Sequence, residues 1–441
     1  MNKEVQYKKL FRLSGMITDV FPNAGSKFLD AAIINILGNK FLLKYFLQKS
    51  KSTIANVKAF DKILVVGDLN IGDAIIASCG ISALRKIFPK AEIDYTLKKS
   101  ALNLIEGNKE ISNLYPIYNS APYPTENDLV RLNNVLNGKD YNLIVNFCPM
   151  IPNKFFGNRK VLSYTLMASE LINNEGNRNS INNINFLAFD FILKSFEDRI
   201  GFTKYLKFNG PKIFLSDDAL EKAQKYFYEN NIPLDKPIIM LNPDASAAYT
   251  RMPFNFQLQL IKKLSLLQCT ILIGAGHVEK NIEQRLLNYF SNGIDQNIYL
   301  VPPSIELDTY AAIIDSSDIF ITGDTGPLHI AAARKFSKST GKNLRNQTAV
   351  FSIFGSTPPH VYGYDSDKNN YLAANQDAPS KTFIAHTSCR NISCINKMAK
   401  GCKEVRCFKN LSIDEIFLEA INHLSTNEKF YFPQEDSIFA K

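Results

Sequence analysis

At 441 residues the chain has room for two or three domains of ordinary size. Its 45% hydrophobic and 21% charged content belongs to a globular protein with large cores, and no uninterrupted apolar run reaches the roughly 18 residues of a membrane-spanning helix. The formal charge of +9 suits an anionic partner, a description that nucleic acid, a phosphorylated glycolipid and an anionic membrane all meet.

Residues 1–60 read as an N-terminal helical extension. The start lacks the basic, apolar and small-residue order of a signal peptide, so a cytoplasmic location is expected. Residues 28–47 are apolar around much of a helix but interrupted by Asp30, Asn35, Asn39, Lys40 and Lys44. A helix packed on the domain's own surface and an interfacial helix on an anionic leaflet both fit.

The organising stretch is 62–94. A short buried strand at 63–66 leads into a turn with Gly67 and Gly72, then Asp73. A helix follows, with apolar Ile75, Ile76, Cys79, Ala83, Leu84 and Ile87; Pro89 ends it and a second strand starts near Ile93. Such a βαβ opening puts its loop at the carboxyl edge of a parallel sheet, where these folds bind ligands. The two glycines have Walker spacing, but Asp73 and Ala74 stand where Lys and Ser/Thr are required, so a phosphate loop is excluded. A carboxylate at a helix start, its ionised form favoured by the dipole, suits a general base. The same position also suits a plain N-terminal cap.

Residues 141–147 predict a further strand, whereas 157–210 is Asn-, Phe- and Lys-rich and poorly periodic. A second series opens at Ser216, an N-cap. Strands are predicted at 237–241, 270–273, 319–322 and 349–354, and helices at 254–267, 305–315 and 328–334. The carboxyl-edge segments are then 242–251, 274–277 and 323–327. Two such series describe two Rossmann-like domains facing one cleft. The stretch 334–346, with five basic residues and no acidic one, reads as a solvated insertion, with anion or membrane contact as the alternative.

In the turn Gly323-Asp324-Thr325-Gly326-Pro327, Thr325 and Gly326 start a helix whose N–H groups suit a diphosphate. Asp324 suits a sugar hydroxyl, and His329 falls on the first turn. A capped turn with a structural Asp and a core His is the alternative. Arg251 offers a cation to a phosphate or is a solvated surface side chain, and Glu279 suits a ribose or a helix start.

Together these motifs resemble glycosyltransferase family 9, the heptosyltransferases of lipopolysaccharide core synthesis. ILVVGDLNIGDAIIASCGISALRKIFP, LNPDASAAYTRMP, FITGDTGPLHIAAA and FSIFGSTPP occur in the family's order, from about residue 62 to about 424. The resemblance implies an α/β GT-B fold: the 1–60 extension, an acceptor-binding domain at 61–212, a nucleotide-sugar-binding domain at 213–425 and a tail at 426–441. It implies inverting, metal-independent transfer of a heptose or related sugar from ADP-heptose or another sugar nucleotide to a phosphorylated glycolipid or glycan. Nucleic acid is not an expected partner, and peripheral contact with the inner membrane is. A different donor, a protein acceptor, or a non-catalytic glycan-binding member are the alternatives. Asp73 matches the catalytic aspartate, with Asn70 beside it as an acceptor contact. Ser246, Thr250, Arg251, Glu279, Asp324, Thr325, Gly326 and His329 match donor-binding positions. Thr250 stands where many members carry Lys, and Met252 where they carry an aromatic.

Of seven cysteines, Cys79, Cys148 and Cys269 lie in apolar runs and read as buried. Cys389, Cys394, Cys402 and Cys407, spaced C-x4-C-x7-C-x4-C, suggest a structural zinc or iron knuckle, with free thiols or two disulfides as the alternative. No cofactor is expected for catalysis.

Overall fold

The structure is a computed structural model and describes residues 51–68, 70–119, 124–148, 150–163, 183–245, 250–274, 285, 289, 297–344, 348–355, 357, 359–365, 379–384, 408 and 411–426. The chain divides into two compact units, 1–212 and 213–441. Among the described residues no helix is long and apolar enough to cross a membrane. The apolar segment 28–47 lies outside the described residues.

In the first unit β1 (Lys62–Val66), β2 (Glu92–Lys98), β3 (Asn113–Tyr118), β4 (Leu143–Asn146) and β5 (Val161–Ser163) form one sheet in the order β3-β2-β1-β4-β5. Every neighbouring pair is parallel. Parallel strands covered on both faces need apolar residues at every position, which is why β1 reads as a continuous run. Helix α1 (Ile71–Ile87) is buried from Ala74 to Leu84 without interruption, because the sheet lies on one side of it and α3 (Ile184–Phe196) on the other. Between them in sequence, α2 (Glu126–Gly138) starts with a capping box made by Thr125 and Asp128. Helix α3 falls in the poorly periodic stretch 157–210. Its sequence INFLAFDFILKSF is apolar on nearly every side, so it shows no amphipathic stripe to be read.

At the amino ends of these strands a wholly buried carboxylate, Asp94, is fully answered. Asn113 Nδ2 donates to it at 2.7 Å, Tyr141 Oη at 2.8 Å and Lys139 Nζ at 2.9 Å. This polar pin ties β2, β3 and the start of β4 together at the edge away from the ligand loops.

In the second unit, β6 (Lys212–Leu215) and α4 (Asp217–Glu229) precede a six-stranded parallel sheet. Its strands are β7 (Ile238–Asn242), β8 (Thr270–Gly274), β9 (Ile298–Val301), β10 (Ile319–Gly323), β13 (Ala349–Phe354) and β14 (Ser380–Ile384). They run in the order β14-β13-β10-β7-β8-β9. Helices α5 (Phe254–Leu264), α6 (Leu307–Asp315), α7 (Gly326–Ala332) and α9 (Ile413–Leu424) accompany it, with a single turn, α8 (Pro359–Tyr362), after β13. In each unit the central pair, β1 with β4 and β7 with β10, is where the strand order reverses. Doubly wound sheets hold their ligands at the carboxyl ends of that pair.

One expectation is corrected. Residues 334–346 are not simply a solvated insertion: β11 (Arg334–Ser337) and β12 (Asn343–Leu344) pair antiparallel and extend β6 into a three-stranded sheet. The Lys335 side chain is wholly buried, donating to Asp315 Oδ1 at 2.9 Å and to the Ala331 carbonyl at 2.7 Å. The acidic partner comes from α6, so the basic run looks unbalanced only in one dimension.

Candidate active site

Asp73 is the third residue of α1 and follows β1, at the first unit's switch point. The helix cap is not Asp73 but Asn70, whose carbonyl accepts the first helical bond from Ala74 N at 3.1 Å. Asn70 makes no side-chain cap; its Nδ2 donates instead to Asp73 Oδ2 at 2.8 Å. The residue matched to an acceptor contact therefore orients the neighbouring carboxylate.

The helix start was expected to favour ionised Asp73. Burial outweighs it and raises the carboxyl above the usual carboxylate range, with the Asn70 bond and the nearby Lys98 charge pulling it part of the way back. Lys98 closes β2 at the same carboxyl edge; burial lowers its ammonium and Asp73 opposes that. Beneath them, buried Tyr95 donates its hydroxyl to the Ala74 carbonyl at 3.0 Å. Cys148 lies 3.6 Å from Asp68 Oδ1, its thiol pushed up by burial first and by that carboxylate second. An inert, buried thiol fits the reading of Cys148 as a small hydrophobe, and Cys79 and Cys269 are buried too.

In the second unit the loop after β7 and the turn after β10 meet. A Cβ added to Gly323 would lie 3.0 Å from the Thr250 carbonyl, so the two backbones approach closely and a side chain there would press on the 250 loop. Asn242 ends β7 opposite Thr322 of β10 in register. Its Nδ2 donates to Thr322 Oγ1 at 3.0 Å and to the Asp244 carbonyl at 3.1 Å. Thr322 Oγ1 lies 3.2 Å from Thr325 Oγ1. Thr325 is the N-cap of α7, but its hydroxyl makes no cap bond. Asp324 and Gly326 flank it, both partly exposed.

His329, on the first turn of α7, is buried, with Nδ1 2.8 Å from the Tyr364 hydroxyl. Burial lowers its pKa to about 4, so it is a neutral imidazole at physiological pH. Arg251 is not a solvated side chain. Its Nε is 2.8 Å from Asp244 Oδ1 and its Nη2 donates to the Ala245 carbonyl at 2.9 Å, so the guanidinium braces both ends of the loop. Thr250 is buried, as is Met252 within the unit's core. Ser246 and Glu279 lie outside the described residues, as do Cys389, Cys394, Cys402 and Cys407. Among the described residues, no group of three or more His, Cys, Asp or Glu side chains is placed to share a metal ion.

Lys98, Asn242, Tyr310 and Tyr364 join these loci without having been singled out in the sequence. The signal available was position: Asn242 is the last residue of a strand at the second unit's switch point, and Lys98 the last residue of the strand beside β1.

Comparison with known proteins agrees with this architecture. Residues 202–392 match the family model described as glycosyltransferase family 9 (heptosyltransferase). A glycosyl transferase family 9 structure from Veillonella parvula is similar at 15% identity and a TM-score of 0.59, over 84% of this chain and 99% of that one. The ADP-heptose lps heptosyltransferase II of E. coli is similar at 16% identity and a TM-score of 0.56, over 83% of this chain and 99% of that one. No curated protein matches. The structural likenesses show the fold, that of the GT-B type.

Proposed function

We propose that this chain is a glycosyltransferase of family 9 and that it transfers a heptose or a related sugar from ADP-heptose or another sugar nucleotide to a glycan hydroxyl. The acceptor class is the lipopolysaccharide core or a related phosphorylated glycan, and Asp73 is the general base. The observation that carries the reading is Asp73 itself: a carboxylate oriented by Asn70, with its pKa raised by burial, at the switch point of a parallel sheet. A raised pKa makes the carboxylate a stronger proton acceptor while Lys98 and Asn70 keep its ionised form accessible.

In this mechanism Asp73 takes the proton of the acceptor hydroxyl as that oxygen attacks the anomeric carbon. The bond from that carbon to the diphosphate oxygen breaks on the opposite face, so the anomeric configuration inverts. On this reading the leaving diphosphate gathers negative charge, and the Thr325–Gly326 turn, neutral His329 and Arg251 receive it in the second unit. Arg251 also keeps the 244–251 loop in shape through Asp244, so its replacement by Lys would not preserve the forked contact. The family resemblance implies that these donors act without a divalent metal. An acceptor of this class is met at the cytoplasmic face of the inner membrane, to which the charge of +9 is suited.

The test is a panel of sugar nucleotides scored by melting temperature and by nucleoside diphosphate release. ADP-heptose is expected to raise the melting temperature most. At a hundredfold excess over Kd the stabilisation is about 2.7 kcal/mol. Release should need an acceptor and persist in EDTA. If no sugar nucleotide shifts the melting temperature or is turned over, the reading fails.

A further inference from the structure

Tyr310, on α6, lies within the 202–392 match but outside the four motifs quoted from the sequence, and it touches the second unit's switch point. Its hydroxyl lies 3.2 Å from Asn242 Oδ1. The direction of the contact is determined by Asn242's other bonds. The Asp244 carbonyl can only accept, so the Asn242 NH2 group faces it, and Oδ1 faces Tyr310. Tyr310 is therefore the donor. Asn242 then donates to Thr322 Oγ1, which meets Thr325 Oγ1. Three successive contacts of 3.2, 3.0 and 3.2 Å join a tyrosine on one helix to the N-cap hydroxyl of another.

Two further facts bear on this chain of bonds. Thr325 occupies the N-cap of α7 without capping it, so its hydroxyl is held by Thr322 rather than by the helix. Gly274, the last residue of β8, leaves the space in which the Tyr310 hydroxyl sits, since a Cβ there would lie 2.5 Å from that oxygen.

We propose that Tyr310 is a positioning residue for the sugar-nucleotide site, setting the Thr325 hydroxyl through Asn242 and Thr322, with Gly274 as the position that admits its hydroxyl. This rests on the reading of Thr325 as a donor contact. The relay works because Asn242 is nearly fully buried and cannot exchange a lost partner for water. Flipping its amide to recover a bond would set Oδ1 against the Asp244 carbonyl. Without the Tyr310 hydroxyl the amide loses its anchor, and the Thr322–Thr325 pair loses its fixed geometry.

The experiment measures ADP affinity by calorimetry, together with the melting temperature, for the full-length protein and its variants. Tyr310→Phe removes one oxygen and keeps the ring. It is expected to weaken ADP about five- to tenfold and to move the melting temperature by less than about 4 °C. In a Thr325→Ala background the same change should alter affinity by less than about twofold, because the relay then has no end. Gly274→Ala should reproduce the Tyr310→Phe loss and add little to it, and it serves as the readout if Tyr310→Phe folds poorly. An unchanged ADP affinity in Tyr310→Phe, or losses that add in full with Thr325→Ala, overturns the relay and leaves the donor site standing. An ADP affinity insensitive to Thr325→Ala overturns the donor-site reading, and the relay with it.

Discussion

Asp73→Ala is expected to lower the turnover number by about 10²- to 10⁴-fold, the range a positioned general base supplies. ADP affinity should stay within about twofold, because every described residue proposed to hold the nucleotide belongs to the second unit. A parallel loss of ADP binding would show that Asp73 supports the fold or the donor, and the base assignment would fall. The pH profile supplies a second check. Only ionised Asp73 accepts a proton, and burial raises its pKa above the usual carboxylate range. Activity should therefore decline with falling pH earlier than an ordinary carboxylate would dictate, and recover above that raised value. Lys98 opposes the shift, so Lys98→Met should move the acid limb to still higher pH. An acid limb that Lys98→Met leaves in place would remove Lys98 from the account.

Lys335→Met is expected to destabilise the second unit by about 3–5 kcal/mol, the cost of leaving a buried charge without its partner. Asp315 would then lose the Lys335 charge at the end of α6, and the Ala331 carbonyl of α7 would lose the Lys335 donor. The double change Lys335→Met with Asp315→Leu should recover most of the loss, since a well-packed apolar pair replaces an ion pair at little net cost. The sign of the pH dependence follows from Asp315, whose pKa burial raises to about 6 against Lys335's opposing charge. A folded pKa above the unfolded one means that this group favours the folded state at low pH, and that the benefit disappears as pH rises through about 6. Losing the Lys335 charge raises that carboxyl further, so the deficit of Lys335→Met should be largest above neutrality and shrink on acidification. Urea unfolding at pH 5 and pH 8 distinguishes this from a simple packing defect, whose size would not change with pH.

The central strands of the two sheets were legible for a specific reason. Buried parallel strands contact apolar layers on both faces, so 63–66, 237–241, 270–273, 319–322 and 349–354 read as largely apolar runs, each followed by turn residues. Helix α3 escaped for the converse reason. Its side chains are apolar nearly all round, and without a polar face periodicity has nothing to report. Within the site, Asp73, Asp324 and His329 could be named because each lies in the turn or the first helical turn that follows a strand. Their surroundings could not. Tyr310 reaches Asn242 across 68 positions, Asn242 reaches Thr322 across 80, and Tyr364 reaches His329 across 35.

What the amino-acid order determined alone is the central strands and their following helices, two Rossmann-like series, and a carboxylate at the first carboxyl-edge loop. These follow from local periodicity, turn chemistry and capping, which act over a few residues. Only the tertiary structure decided that Asn70 caps the helix while Asp73 receives its amide, that Arg251 is bound to Asp244, and that Lys335 is buried. Each of these depends on strand order and desolvation, through which residues distant in the chain become neighbours and lose their water together.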